Sequence, residues 1–79
     1  MTREDILARL NEIFQDVLDN DELVVTDALQ ADDVEEWDSL SHIQLIVAIE
    51  KAFGIKFTSR EIMKWSCVGE MVDTIITRV

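Results

Sequence analysis

Proline is absent from the 79 residues, and glycine occurs only at Gly54 and Gly69. Because both residue types disfavour the interior of a helix, their scarcity favours a helical chain. Cysteine occurs once, at Cys67. One cysteine allows no internal disulfide, so we expect a reducing cytoplasmic compartment and interpret Cys67 as a buried thiol.

Long apolar runs are also missing from the sequence. No stretch approaches the roughly 18 apolar residues of a membrane span. The first residues, Met1 to Asp5, lack the basic region and the apolar core of a secretory signal. We therefore expect a single domain over residues 1–79 that does not associate with membranes and is monomeric.

Basic residues are few: Lys and Arg total 7 against 17 Asp and Glu, giving a net charge of −10. Thirteen of the 17 acids lie in residues 1–38. Such a charge disfavours binding to nucleic acid or to anionic lipid. It is compatible with basic partner surfaces, and equally with a role in solubility alone.

The residue combinations of common catalytic sites are not found. His42 is the only histidine, no carboxylate orients it as a general base, and there is no glycine-rich phosphate loop. Five acids of the loop suggest calcium, namely Asp19, Asp21, Asp27, Asp32 and Asp33, but their spacing lacks the glycine and the closing glutamate of an EF-hand. We expect no metal site, no catalytic residue and no enzymatic activity.

Apolar periodicity predicts an all-α fold, a small four-helix bundle of three main helices and a short third helix. Helices are predicted over about residues 3–18, with a capping box of Thr2 and Asp5, and over Ser39–Phe53, with Gly54 as C-cap. Thr58 and Glu61 predict a short helix ending near Lys64, and Ser66 is predicted to cap the last one. A long acidic loop, Asp19 to Trp37, precedes the second helix. A single helical turn is predicted to start in it at Thr26 or Asp27. Five apolar residues of the loop are predicted to hold it to the core: Leu23, Val24, Val25, Leu29 and Val34.

The junction Asp38-Ser39 is the sequence feature that draws most interest. Asp38 is a good N-cap, which places Ser39 at the first helical position beside free backbone N–H groups. Those N–H groups and the helix dipole favour a negatively charged group such as a phosphate. The alternative is that the two residues simply start a helix.

The second helix is apolar on two sides. Its predicted core face, at 100° per residue, holds Leu45, Ile49, His42, Phe53 and Ile46. Its opposite side mixes apolar and polar residues, namely Leu40, Gln44, Val47 and Lys51. A mixed outer stripe favours a partner-binding surface, with burial on both sides as the alternative. His42 is interpreted as a half-buried core residue, or as a residue flanking whatever is attached to Ser39.

The block Asp38-Ser39-Leu40, with Ile43–Glu50 and Phe53-Gly54-Ile55 after it, resembles the acyl carrier protein family. The resemblance extends over the whole chain. It implies that Ser39 carries 4′-phosphopantetheine as a covalent cofactor, flanked by Asp38 and Leu40. It further implies a phosphopantetheinyl transferase and acyl-loading, condensing or acyltransferase enzymes as partners, contacting Leu40, Gln44, Val47 and Lys51. Sheltered acyl chains are expected among Ile46, Ile49, Phe57, Ile62 and Trp65.

The sequence also departs from that family. The outer positions of the second helix, which usually include several acids, are Ser41, Gln44 and Lys51 here. Trp37 stands where glycine or alanine is common, and Trp65 where a smaller residue is usual. These departures suggest a dedicated carrier in fatty acid, polyketide or related biosynthesis. Trp65 and His42 are expected to narrow the space for the acyl chain, so that the cargo is short or polar. The alternatives are an aminoacyl carrier, of D-alanyl or peptidyl type, and a helical interaction protein that is never modified.

Overall fold

The computed structural model describes residues 1–79 and contains four α-helices and no strand. The helices are α1 (Arg3–Val17), α2 (Ser39–Phe53), α3 (Ser59–Lys64) and α4 (Val68–Ile76). A 3-10 turn at Ala31–Asp33 interrupts the loop between α1 and α2. The all-α fold with a short third helix is thus confirmed. No helix is both long and apolar enough to span a bilayer.

Local sequence signals place most of the helix ends. Capping boxes form at Thr2 with Asp5 and at Thr58 with Glu61, as predicted. Gly54 ends α2 at φ 67°, in the left-handed region that glycine adopts without a steric penalty. Because α2 therefore begins and ends at fixed residues, the orientation of Ser39 at its start is well defined.

One core holds the helices together. Helix α1 packs against α2 and α4, and α3 packs against α4. Nine side chains are fully buried, and they come from three of the four helices: Ile6, Leu10, Phe14, Leu45, Ile49, Val68, Met71, Val72 and Ile75. Burying a side chain of this size contributes roughly 1.5–3 kcal/mol, which makes this cluster the main stabilising element of a 79-residue chain.

The long loop is fixed to α1 by side chains of the helix. Asn11 accepts a hydrogen bond from the N–H of Val25 (2.8 Å), and the Gln15 amide donates to the carbonyl of Leu23 (2.9 Å). Val25 and Val34 are buried and Leu23 and Leu29 are half-buried, as predicted, whereas Val24 is 70% exposed. The prediction for Val24 is wrong because alternate residues of an extended segment face opposite sides.

The same loop also caps α4. The N–H groups of Val68 and Gly69 donate to the carbonyls of Leu29 (2.9 Å) and Asp27 (2.8 Å). The helix begins after Cys67, which makes no side-chain cap, so the predicted cap at Ser66 is wrong by one residue. A side-chain cap is unnecessary there because the loop carbonyls satisfy the free N–H groups of the first turn.

A hydrogen-bonded turn forms where the single turn was predicted, because the N–H of Leu29 donates to the carbonyl of Thr26 (3.2 Å). A further turn follows it in the loop. The 3-10 turn lies at Ala31–Asp33, and the carboxylate of Asp33 accepts from the N–H of Gln30 (3.0 Å). Asp27 lies inside the turn that starts at Thr26, and its carbonyl accepts a hydrogen bond from the N–H of Gly69 in α4 (2.8 Å). The consequence for the site is that Ala31 comes to lie beside the N-terminus of α2.

Candidate functional site at the start of the second helix

Asp38 caps α2 in the way that the sequence predicts. Its carboxylate accepts from the N–H of Ser41 (2.9 Å), and the Ser41 hydroxyl accepts from the N–H of Asp38 (2.8 Å). The hydrogen bonds that the carboxylate accepts from Ser41 lower the pKa of Asp38, so the carboxylate is ionised at neutral pH. Asp38 thus fixes the helix start at Ser39.

Ser41 is the residue here whose location sequence reasoning missed. It was placed among the outer positions, yet it is only 9% exposed. Its hydroxyl also donates to the carbonyl of Glu36 (2.8 Å), which ties the end of the loop to the first turn of α2. The prediction is wrong because a serine at the third helical position can complete a capping box and turn inward. The spacing Asp38-x-x-Ser41 was the available signal.

Ser39 is exposed at the first position of α2. The N–H groups at a helix start have no intrahelical acceptor, and the dipole is positive there. The serine hydroxyl is therefore accessible for modification at a point that favours an attached phosphate. A primary hydroxyl on a rigid helix start is a suitable attachment point for a phosphodiester-linked group.

A cavity of about 380 Å³ opens beside Ser39. It lies between the start of α2, the 3-10 turn and the segment that joins α3 to α4. The residues around it are both apolar and polar: Ala31, Trp37, Asp38, Ser39, His42, Trp65, Ser66, Cys67 and Met71. The structure thus brings the predicted attachment residue together with a space large enough to hold part of a small molecule.

Trp37 and His42 form one wall of this cavity. The indole N–H of Trp37 donates to Nδ1 of His42 (3.0 Å), and the two rings are stacked with centroids 6.0 Å apart. Burial lowers the pKa of His42, which is half-buried, so the imidazole is neutral at neutral pH. His42 is thus half-buried, as one sequence-based interpretation has it, and it also lines the cavity beside Ser39, as the other has it.

The five residues predicted to shelter an acyl chain are separated by the structure. Trp65 lines the cavity beside Ser39, and none of the other four does. Ile49 belongs to the main core, Ile46 is buried, and Phe57 and Ile62 are half-buried. Phe57 packs edge-to-face against Trp65, with ring centroids 4.9 Å apart. Shelter of an acyl chain by Ile46, Ile49, Phe57 and Ile62 stays a prediction.

The four residues predicted to meet partners are all exposed. Leu40 and Val47 are 68% and 47% accessible, and Gln44 and Lys51 are exposed with them. Ile43, which sequence reasoning did not include, is 62% exposed on the same side of α2. We refer to Leu40, Ile43, Gln44, Val47 and Lys51 as the α2 outer face. Its use as a partner surface stays a prediction.

The acid nearest this face is not free to meet a partner. Glu50 is half-buried, and its carboxylate accepts a hydrogen bond from the N–H of Phe57 (2.8 Å). Its charge is thereby used to hold the segment after α2 against the helix. Among the five residues of the α2 outer face, Lys51 is the only one with a charged side chain.

Comparison with known proteins places this geometry in a family context. The family model for a phosphopantetheine attachment site matches residues 8–75. The acyl carrier protein of Rubrobacter xylanophilus is 38% identical over 76 residues, covering 96% of this chain and 94% of that protein. The acyl carrier protein of Thermosynechococcus vestitus is 35% identical over 80 residues, covering 100% and 98%.

A solved structure is similar over nearly the same range. The solution structure of the holo acyl carrier protein from Geobacter metallireducens superimposes with a TM-score of 0.87 at 40% sequence identity. The match covers 91% of this chain and 83% of that one. Fold, sequence and family model therefore agree over almost the whole length of the chain.

Proposed function

Since the chain belongs to the acyl carrier protein family, we propose that Ser39 is the residue that carries its 4′-phosphopantetheine group. The observation that carries this proposal is the position of Ser39: exposed, at the first residue of α2 and on the rim of the cavity. The group supplies a thiol at the end of a flexible arm, and that thiol holds an acyl group as a thioester.

The residues around Ser39 fit a phosphodiester. Asp38 turns its carboxylate into the helix to accept from Ser41 (2.9 Å), which leaves the serine hydroxyl unobstructed. The dipole of the 15-residue α2 offsets part of the negative charge that attachment adds. Leu40, directly after Ser39, is 68% exposed and is available to the transferase that modifies Ser39. The roles of Asp38 and Leu40 are thus to fix and to flank the attachment residue.

Mass spectrometry tests the attachment directly. The chain is incubated with coenzyme A, magnesium and a phosphopantetheinyl transferase, and we expect a mass gain of one phosphopantetheine group. Ser39→Ala should abolish the gain. Ser59→Ala is the matched control, because Ser59 is also an exposed serine at the first position of a helix, α3. A gain retained in Ser39→Ala would overturn the assignment, and no gain at all would favour an unmodified interaction protein.

The α2 outer face is the surface on which we expect the transferase and the acyl-transferring enzymes to dock. Three of its five side chains are apolar and exposed, which is unusual on the surface of a small protein. Its single charge is the cation Lys51, whereas Glu50 is engaged with Phe57. A surface of this character supports a dedicated carrier with its own partner enzymes, acting in fatty acid, polyketide or related biosynthesis as a cytoplasmic monomer.

A further inference from the structure

His42, which lines the cavity beside Ser39, has a hydrogen-bond donor that the fold does not use. The indole N–H of Trp37 can only donate, so Nδ1 of His42 must be the unprotonated ring nitrogen. The neutral imidazole then carries its proton on Nε2. Nε2 makes no hydrogen bond within the protein. The two indole N–H groups beside the cavity, by contrast, both have acceptors: Trp37 donates to His42, and Trp65 donates to Thr74 (3.0 Å).

The size and charge of the cavity limit what can occupy it. A cavity of roughly 150 Å³ holds a benzene molecule. The cavity here is about 380 Å³, so it admits a group of several heavy atoms, and Trp37, Trp65 and Met71 give it apolar walls. Asp38, whose carboxylate is ionised, is one of the residues around it, and a second negative charge close to that residue would be repelled.

Resting on the proposed attachment at Ser39, we propose that this cavity shelters the cargo and selects a short, uncharged acyl group that bears a hydroxyl or oxo oxygen, bound by Nε2–H of His42. The apolar walls bury the carbon atoms of the acyl group. The Nε2–H of His42 donates to the hydroxyl or oxo oxygen of the acyl group. Without that oxygen, this donor would remain unpaired when the cavity is filled. Trp37 is the positioning residue, because its hydrogen bond to Nδ1 keeps the proton of His42 on Nε2.

A pair of isosteric cargoes tests the selection. The arm is attached already loaded, from 3-hydroxybutanoyl-coenzyme A or from 3-methylbutanoyl-coenzyme A, which differ only by a hydroxyl in place of a methyl group. The first readout is the rate of thioester hydrolysis relative to the same free thioester. We expect the 3-hydroxybutanoyl group to be protected about two- to ten-fold better than its isostere, the range of one ordinary hydrogen bond.

The second readout is the nuclear magnetic resonance spectrum of the imidazole. His42 is the only histidine, so its ring signals are assigned without ambiguity. We expect them to shift when the 3-hydroxybutanoyl arm replaces the bare arm, and to shift less with the isostere. In His42→Leu, the difference in protection between the two cargoes should disappear. Because that difference is measured within one variant, a general loss of stability cancels from it.

Three results would overturn the proposal. One is equal protection of the two isosteres in the wild-type chain, and another is better protection of octanoyl than of either short cargo. The third is an imidazole signal that moves fully on attachment of the bare arm and no further with cargo, which would mean that the arm fills the cavity. A missing mass gain at Ser39 is a separate result and contradicts the attachment itself.

Discussion

The indole N–H of Trp37 donates a hydrogen bond to Nδ1 of His42 (3.0 Å). The same indole packs edge-to-face against Phe14, with ring centroids 5.0 Å apart. Trp37 thus joins the end of the long loop to α1 and to α2 at once. It is 8% exposed, so it closes the loop against the bundle and does not face a partner. These two contacts define the structural role of Trp37.

The first prediction concerns the acid sensitivity of His42. Burial lowers its pKa from the ordinary value of 6.5. The unfolded chain therefore takes up this proton at a higher pH than the folded chain does. Consequently the free energy of unfolding should fall as the pH is lowered from about 6.5 toward the pKa of the folded state, with no further contribution below it. Urea unfolding at a series of pH values measures this.

The acids of the chain titrate in a lower range and can be separated from this effect. Hydrogen bonds lower the pKa of four carboxylates, namely Asp5, Asp38, Glu61 and Glu70. Their contributions to the free energy of unfolding are therefore lost only as the pH falls below their ordinary pKa values of 3.8 to 4.5.

Trp37→Phe should raise the pKa of His42, because Nδ1 loses its donor. The ring signals of His42, followed as a function of pH, measure this pKa. Thr74→Ala, which removes the acceptor of the other indole, is the control, and an unchanged pKa in Trp37→Phe would contradict the pairing.

The helices could be predicted because their signals are local. Capping boxes, the glycine after α2 and the apolar period each involve residues within one or two turns of each other. The contacts that complete the site are different. Val68 and Gly69 donate to loop carbonyls about forty residues earlier in the chain, and this pairing decides where α4 begins. Nothing in the sequence near Ser66 indicates that its capping role is unnecessary.

The cavity could be predicted only in part for the same reason. The N-cap Asp38 predicts that Ser39 is the first residue of α2, and Trp65, which the family resemblance places near the acyl chain, does line the cavity beside Ser39. The neighbours of Ser39 in the cavity, however, come from the 3-10 turn at Ala31 and from the α3–α4 segment at Cys67. Helical periodicity describes one helix at a time, so it cannot show which distant loop closes over a helix end.

The second prediction compares two serines in the first turn of α2. Ser41→Ala leaves the carbonyl of Glu36 and the N–H of Asp38 without their partner. We expect a loss of about 1–3 kcal/mol in the free energy of unfolding, the cost of unpaired groups in a mostly buried place. Ser39→Ala, at an exposed position, should change it by less than about 0.5 kcal/mol. Equal effects of the two substitutions would contradict the buried role of Ser41.

The third prediction concerns Arg3, whose guanidinium joins three parts of the chain. It donates to the carboxylates of Asp27 (2.8 Å) and Asp73 (2.6 Å) and to the carbonyl of Gly69 (3.1 Å). Arg3→Lys keeps the charge and loses the planar fork, so the urea midpoint should fall. Arg9→Lys, at an exposed pair with Glu12 one turn away, should leave it unchanged. Similar midpoints for both variants would show that charge alone matters at Arg3.

The fourth prediction tests the α2 outer face with two residues of nearly equal exposure. Leu40 and Val24 are 68% and 70% accessible, but only Leu40 lies on that face. Leu40→Asp should lower kcat/KM of the transferase at least ten-fold, since it places a charge where an apolar contact is expected, with little effect on unfolding.

Val24→Asp controls for the effect of adding an acid to a chain that already has a net charge of −10. It should leave kcat/KM within two-fold of the wild type, because Val24 lies in the loop beside α1. Lys51→Glu should change the rates with different acyl-transferring partners unequally, since it reverses the one charge on the face. Were Leu40→Asp and Val24→Asp to lower kcat/KM alike, the loss would reflect overall charge and the α2 outer face would not be the docking surface.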